Sequence, residues 1–436
     1  MSVLLQNALL VDIDPVGVES ASLRIDGDRI IERGATLKSH PNEECVDCDG
    51  SVVLPGMVNG HTHLYSSLAV GMPPPARTPQ DFYEILKFVW WRLDRAHDLE
   101  SVEASAKAGA CDALRCGTTT LIDHHASPSA IAGSLDAIER AIAAVGLRGV
   151  LCYETTDRNG PDGRAAGLDE NRRYLEKCKH VADGRFAGLV GAHASFTLED
   201  ETLGALAALA EQYGVGVHIH VAEDPVDEQD ALTNRGGALI DRLARHFLLQ
   251  PDAVFAHGTH LSPDAVARVN ELHVTMAHNP RSNMNNAVGY APISSFETDV
   301  MLGTDGIGGD MFAEARAAWL ISRHQRAGLS PEEVVAMLAA AARRASRALG
   351  VTLGRLRPNA AADIVVTSYR PQSPLTAENV AGHLLFGMDG GHVRDVMIAG
   401  RWRWRGGGAV DQGGEVDAET TREIAAALWR RMQEIT

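Results

Sequence analysis

Between residue 52 and about residue 363, apolar runs of strand length alternate with alanine- and leucine-rich helical segments roughly eight times. Strands separated by helices pair in parallel. Eight such units of this total length suggest an α/β fold closed into a (β/α)8 TIM barrel rather than an open sheet. The polar residues gather at one end of the alternation. Strand candidates finish at His61/His63, Asp123-His124-His125, Tyr153-Glu154, His193, His218/His220, His257, His278 and Asp305. Barrels of this kind keep their active sites at the C-terminal ends of the strands. Eighteen histidines placed at random would not sort themselves this way. Taken singly, His246 or His273 reads as an ordinary surface or core residue.

The two ends of the chain have a different texture. Short strands with turns are expected at 2–5, 9–12, 22–25 and 29–31, the last following the Gly27-Asp28 turn. Beyond the alternating region, 363–367 reads as a buried strand, 393–398 and 400–404 as a hairpin, and 418–432 as a closing helix. The expected boundaries are 56–363 for the barrel, flanked by 1–55 and 364–436.

Charge narrows the partners. The net charge is −17, and no basic patch is evident to neutralise phosphates. A nucleic acid or an anionic membrane surface is therefore a poor fit, and a small molecule is the easier expectation. The start, Met1-Ser2-Val3-Leu4-Leu5-Gln6-Asn7, lacks the basic residues and long apolar core of a signal peptide, and no run approaches membrane-spanning length. A cytoplasmic protein is expected. Six scattered cysteines fit a reduced compartment. Cys45 and Cys48 form a lone CxxC without a second pair, and Cys111 and Cys116 read as packing residues. The Pro73-Pro74-Pro75 run reads as a rigid loop at the pocket rim.

Leu54-Pro55-Gly56-Met57-Val58-Asn59-Gly60-His61-Thr62-His63 carries the first ligands. Residues i and i+2 of a strand share a face, so His61 and His63 aim two imidazoles at one point, as a divalent metal requires. His218-Ile219-His220 repeats the spacing. His220, nearer the strand end, is the better ligand, with His218 one layer below. Glu223 follows on the loop over the barrel mouth, a suitable place for a proton shuttle. Asp305, in Gly303-Thr304-Asp305-Gly306, sits where glycines allow close backbone approach. It can ligate the metal and accept a proton from water. His257 is either a further ligand or, by slight preference, a hydrogen-bonding residue, and His260 is its alternate.

Together these segments resemble the amidohydrolase superfamily. Residues 55–63, His220-x-x-Glu223, His257 and Gly303-Thr304-Asp305 match its motifs in order. Within it the chain looks like the branch of triazine hydrolases, guanine-type deaminases and SsnA-type aminohydrolases. The shared stretches are Trp90-Trp91-Arg92-Leu93-Asp94, Ile122-Asp123-His124-His125-Ala126-Ser127-Pro128, Tyr153-Glu154-Thr155-Thr156-Asp157-Arg158-Asn159-Gly160 and His278-Asn279-Pro280-Arg281-Ser282-Asn283. The resemblance implies a distorted barrel with a small β-sandwich built from both chain ends. It also implies attack of a metal-activated water on a ring carbon of a nitrogen heterocycle, with Asp305 taking the water proton and Glu223 passing one to a ring nitrogen. Ammonia is the default leaving group. Chloride or a sulfur group is the alternative, and a non-catalytic binding protein is a third reading that the paired carboxylates argue against.

Binuclear members of the superfamily often bridge two metals with a carbamylated lysine on the fourth strand. Here the five lysines lie elsewhere, at Lys38, Lys87, Lys107, Lys177 and Lys179. One divalent metal is therefore expected, held by His61, His63, His220 and Asp305. Zinc is favoured, though iron or manganese would accept the same ligands. Trp90, His125, Tyr153, His193 and Asn279 are the candidate substrate-binding residues. The apolar segment 79–93 suggests a homodimer or higher homo-oligomer.

Overall fold

The computed structural model describes residues 2–435. The N-terminal segment supplies β1 (Val3–Ile13), β2 (Val16–Asp26), β3 (Arg29–Gly34), β4 (Glu44–Asp47) and β5 (Val52–Pro55). The C-terminal segment supplies β15 (Ile364–Thr367), β16 (Val393–Ile398), β17 (Arg401–Arg405) and β18 (Gly408–Ala409). All nine join one sheet, in the order β18-β17-β16-β15-β5-β1-β2-β3, with β4 paired to β1. The chain ends meet where Leu54 of β5 faces Val365 of β15. Alternate residues of these strands, among them Leu5, Leu10, Leu23, Ile25, Val53, Ile364 and Val366, fill one apolar core.

The expected break between 5 and 9 is instead a bulge within the single strand β1. Its register against β2 shifts between Leu5 and Ala8. Asn7 takes φ 54° there, and its side-chain amide donates to Asp47 at 3.0 Å. A polar pair of residues thus bends the strand without ending it.

Between these segments lie two all-parallel sheets. One is β6 (Met57–Thr62), β7 (Thr118–His125), β8 (Arg148–Tyr153) and β9 (Phe186–Gly188). The other is β10 (Val190–Ala194), β11 (Val217–Val221), β12 (Val254–His257), β13 (Thr275–His278) and β14 (Val300–Leu302). The sheets touch at both margins, through parallel bridges between Thr62 and Asp305 and between Thr155 and Ala192. Apart from half-buried Phe186 at the start of β9, their strands are buried throughout, as expected where helices cover a parallel sheet.

The covering helices start and stop where local chemistry demands. Asp98 caps Leu99–Arg115 in a reciprocal arrangement with Ser101. Ser330 and Glu333 do the same for Pro331–Leu349, which ends at Gly350 in the left-handed conformation. The closing helix, Ala418–Glu434, packs its Leu428 and Met432 with Leu93, Ala96 and Leu68 beside the parallel sheets. Among the described residues, no helix is long and apolar enough to cross a membrane.

Candidate metal centre

β6 ends beside β14, and the backbone knots them together. The amides of Thr304 and Asp305 both donate to the His61 carbonyl at 2.9 Å, and the His63 amide donates to the Asp305 carbonyl at 3.2 Å. This places His61 and His63 from one sheet against Asp305 from the other, with His220 of β11 opposite. One donor atom from each of the four lies within 4.8 Å of the rest.

The rings are oriented from behind. His63 Nδ1 donates to the His124 carbonyl at 2.5 Å, and His220 Nδ1 donates to the His193 carbonyl at 2.8 Å. His61 Nδ1 meets His218 Nε2 at 2.8 Å, which puts His218 one layer below. With Nδ1 tied off, each Nε2 lone pair faces inward. Asp305 Oδ1 lies 2.9 Å from His63 Nε2 and 3.6 Å from His61 Nε2. His61 Nε2 is buried with no hydrogen-bond partner, a state that a bound cation would relieve. Three inward imidazole lone pairs and a carboxylate are a donor set that fits a divalent metal.

Burial pulls the His61 imidazole down to about 4. It works in the same direction on His63, but the Asp305 carboxylate more than offsets it and lifts that ring to about 9. Two carboxyls at the mouth diverge. Burial and the charge of Asp305 push Glu223 well above the usual carboxyl range. Burial works against ionisation of Asp305 too, but His61 and His63 hold it well below that range. Oxygens of Glu223 and Asp305 and a nitrogen of His257 share a second 4.8 Å cluster. His257 Nε2 is 3.5 Å from Glu223 Oε2 and 3.9 Å from Asp305 Oδ2, while its Nδ1 meets Asn283 Oδ1 at 2.8 Å. Three strand ends at the centre carry left-handed φ: Ala222 beside Glu223 at 50°, His257 at 74° and Asp305 at 54°. Such strain concentrates where the surrounding structure holds a site in place.

Above this centre opens a cavity of about 920 Å³, its mouth included, walled on one side by Phe82, Leu86, Trp90, Trp91 and Phe196. A wide π-helical turn, Leu86–Trp90, carries Trp90 to that wall, and Trp91 opens the helix that follows. Of the candidate substrate-binding residues, Trp90 and His193 line the cavity. His125, Tyr153 and Asn279 do not. His125 is fully buried with Nε2 on the Ser127 hydroxyl at 2.8 Å. Tyr153 packs in the main core, and Asn279 is wedged against Gly303 below the floor. The short helix Pro280–Asn285 after β13 instead brings Ser282, Asn285 and Asn286 to the cavity, and Ser282 donates to Asp305 Oδ2. His260 is exposed and bonded to the Val288 carbonyl, so it cannot replace His257. Asp94, Glu154 and Tyr65 also line the cavity and were not singled out as site residues from the sequence. Asp94 and Glu154 lie within noted motifs, but only the three-dimensional path of the segment 82–96 shows that Asp94 turns inward.

Comparison with known proteins adds independent findings. Residues 52–403 match the family model described as the amidohydrolase family. The chain is 29% identical over 402 residues to a 5'-deoxyadenosine deaminase of Methanothermobacter thermautotrophicus, covering 91% of this chain and 92% of that protein. It is 28% identical over 430 residues to that of Methanopyrus kandleri, covering 94% and 96%. Among solved structures it resembles an adenosine deaminase from Xanthomonas campestris with bound zinc, with a TM-score of 0.82, 22% identity and 99% of both chains covered. It also resembles the atrazine chlorohydrolase TrzN from Arthrobacter aurescens TC1 complexed with zinc, with a TM-score of 0.80, 21% identity and coverage of 98% and 100%.

Proposed function

This chain belongs to the amidohydrolase family, and from that premise we propose that it is a metal-dependent deaminase of a purine-like or related nitrogen heterocycle. We read the two parallel sheets as one distorted (β/α)8 barrel spanning 56–363, a reading supported by the bridges at both margins. The mixed sheet of 1–55 and 364–436 is read as the β-sandwich. A cytoplasmic location is part of the same reading, supported by the six unpaired cysteines. Relatives named as 5'-deoxyadenosine deaminases, matched over most of the chain, support C–N bond hydrolysis on an aminopurine-type ring.

The observation that carries the proposal is the pair Glu223 and Asp305, two carboxyls close together whose surroundings drive their protonation apart. Such a pair assigns an acid and a base. His61, His63, His220 and Asp305 hold the metal, for which zinc is the best match. When bound, the ion supplies Lewis acidity that brings deprotonation of water close to neutral pH. Ionised Asp305, held at Oδ2 by Ser282, takes the proton of the attacking water. Protonated Glu223 gives its proton to a ring nitrogen, so the attacked carbon becomes tetrahedral. Ionised Glu223 then takes the remaining proton of the added hydroxyl and passes it to the amino group, which leaves as ammonia. The ring nitrogen keeps its proton, and the one held by Asp305 restores Glu223 to its starting state. His257 faces both carboxyls and is placed to hydrogen-bond the added oxygen. Trp90, Trp91 and Phe196 offer faces to a flat ring, and His193 borders its edge.

Zinc-loaded protein should be offered amino-, chloro- and alkylthio-substituted purines, nucleosides and triazines, with ammonia, chloride and thiol each measured. Ammonia release from an amino-substituted ring is the expected result. Release of chloride or thiol without ammonia would replace the leaving group, and no release by fully loaded protein would overturn the proposal.

A further inference from the structure

His124, the last residue but one of β7, is fully buried, and neither of its ring nitrogens has a hydrogen-bond partner. Its Nδ1 lies 3.5 Å from Oε2 of Glu154, an atom equally buried and equally without a partner. The deamination chemistry above uses neither side chain. An ordinary ion pair does not account for them. A charged His124 would sit among His61, His63, His218 and His220, with its ring stacked on that of His218 at 4.5 Å between centroids. An imidazole with a bare lone pair beside a bare carboxylate oxygen is instead half of a cation site.

The other half is already in place. His63 Nε2 and His220 Nε2 lie 3.1 Å apart, and donor atoms of His63, His124, Glu154 and His220 all fall within 4.8 Å of one another. We propose that these four residues form a second seat for a divalent cation, overlapping the first and filled in its place. The two seats exclude each other for a covalent reason. His63 and His220 each commit Nδ1 to a backbone carbonyl, so each has one lone pair to give and can serve one ion at a time. The stoichiometry stays at one ion per chain, as the proposed function requires, and the inference rests on that reading of the first seat. In the second seat the ion loses Asp305 and leaves the Asp305–Glu223 pair, so this seat is unproductive for deamination. Glu154 lines the cavity, which makes the second seat reachable from the mouth.

The test is zinc content by elemental analysis after dialysis, together with absorption spectra of the cobalt-loaded proteins. Asp305→Ala is expected to keep one equivalent of zinc. Adding Glu154→Gln or His124→Asn to it should weaken zinc binding about 100-fold and alter the cobalt bands. Two different second variants are used so that misfolding of one, judged by circular dichroism, does not decide the result. A zinc-free Asp305→Ala beside a wild type holding one equivalent would overturn the second seat alone. So would double variants that bind zinc as tightly as Asp305→Ala. A wild type unable to hold zinc would overturn the first seat as well.

Discussion

Glu223 and His220 are three residues apart, yet they receive opposite tasks because of what stands behind them. His220 is locked by a carbonyl at Nδ1, whereas Glu223 is free at the cavity wall and faces His257. Glu223→Gln is therefore expected to keep one equivalent of zinc while losing roughly 10²-fold or more of turnover, since an amide cannot move protons. Near-normal rates with full zinc content would show that Glu223 moves no proton in the reaction. Gly303 gives a steric counterpart. A Cβ there would stand 2.7 Å from His61 Cβ and 2.5 Å from Asn279 Oδ1, closer than such atoms approach. Gly303→Ala should displace His61 and lower zinc affinity, by about 10-fold or more on the scale of ligand-orienting changes, as read by competition with a zinc chelator. The meeting of His61, His63, His220 and Asp305 was legible in the sequence because alternation along a strand fixes which side chains share a face. Asn279 directly follows β13 and its Nδ2 comes within 3.4 Å of His257 Nδ1, whereas Ser282 and Asn283 reach Asp305 and His257 only once the chain turns into a helix. No alternation rule reports that turn.

At the scale of elements, the joint between the parallel sheets and the mixed sheet depends on one buried ion pair. Arg148 opens β8 and Asp363 directly precedes β15; they meet through two parallel hydrogen bonds of 2.8 and 2.9 Å. The remaining valences are filled by the Gly184 carbonyl at 2.6 Å and the Ala399 amide at 2.9 Å. Both side chains are almost wholly hidden from water. Removing one partner leaves the other charge desolvated, a loss of about 3–5 kcal/mol. Arg148→Met should accordingly lower the denaturant midpoint sharply, and replacing Asp363 by Leu in the same chain should restore part of it. An unchanged midpoint in Arg148→Met would show that the joint is held by apolar packing alone. The sequence indicated the strands on either side of this joint from their apolar runs. It did not pair Arg148 with Asp363, because they lie 215 positions apart and periodicity carries no information about such partners.

At the scale of the molecule, the apolar segment 79–93 has less surface to offer a partner than its composition suggests. Phe82, Leu86, Val89 and Leu93 are buried within the chain, and Trp90 and Trp91 wall the cavity. We keep the homodimer as a proposal, with exposed Leu320 and Phe386 as remaining apolar surface. Light scattering should give twice 46.7 kDa, and a particle of 46.7 kDa at micromolar concentration would count against it. The stronger consequence concerns the metal. Its proposed ligands come from both parallel sheets, His61 and His63 beside β6, and His220 and Asp305 beside β11 and β14. Outside the mixed sheet, those two sheets touch through single bridges at their margins. An ion at the centre would therefore fasten one sheet to the other. An unfolded chain has no such preformed site, so binding free energy adds to folding free energy. At an ion concentration of 100 to 1,000 times the dissociation constant, this amounts to about 2.7–4.1 kcal/mol. For a chain of this length that corresponds to a melting shift on the order of 5 °C. Chelation should lower the melting temperature by that order, zinc should restore it, and His63→Ala, which removes a ligand common to both seats, should show a much smaller response to either. A melting temperature indifferent to chelator in the wild type would mean that the sheets close without help from the metal.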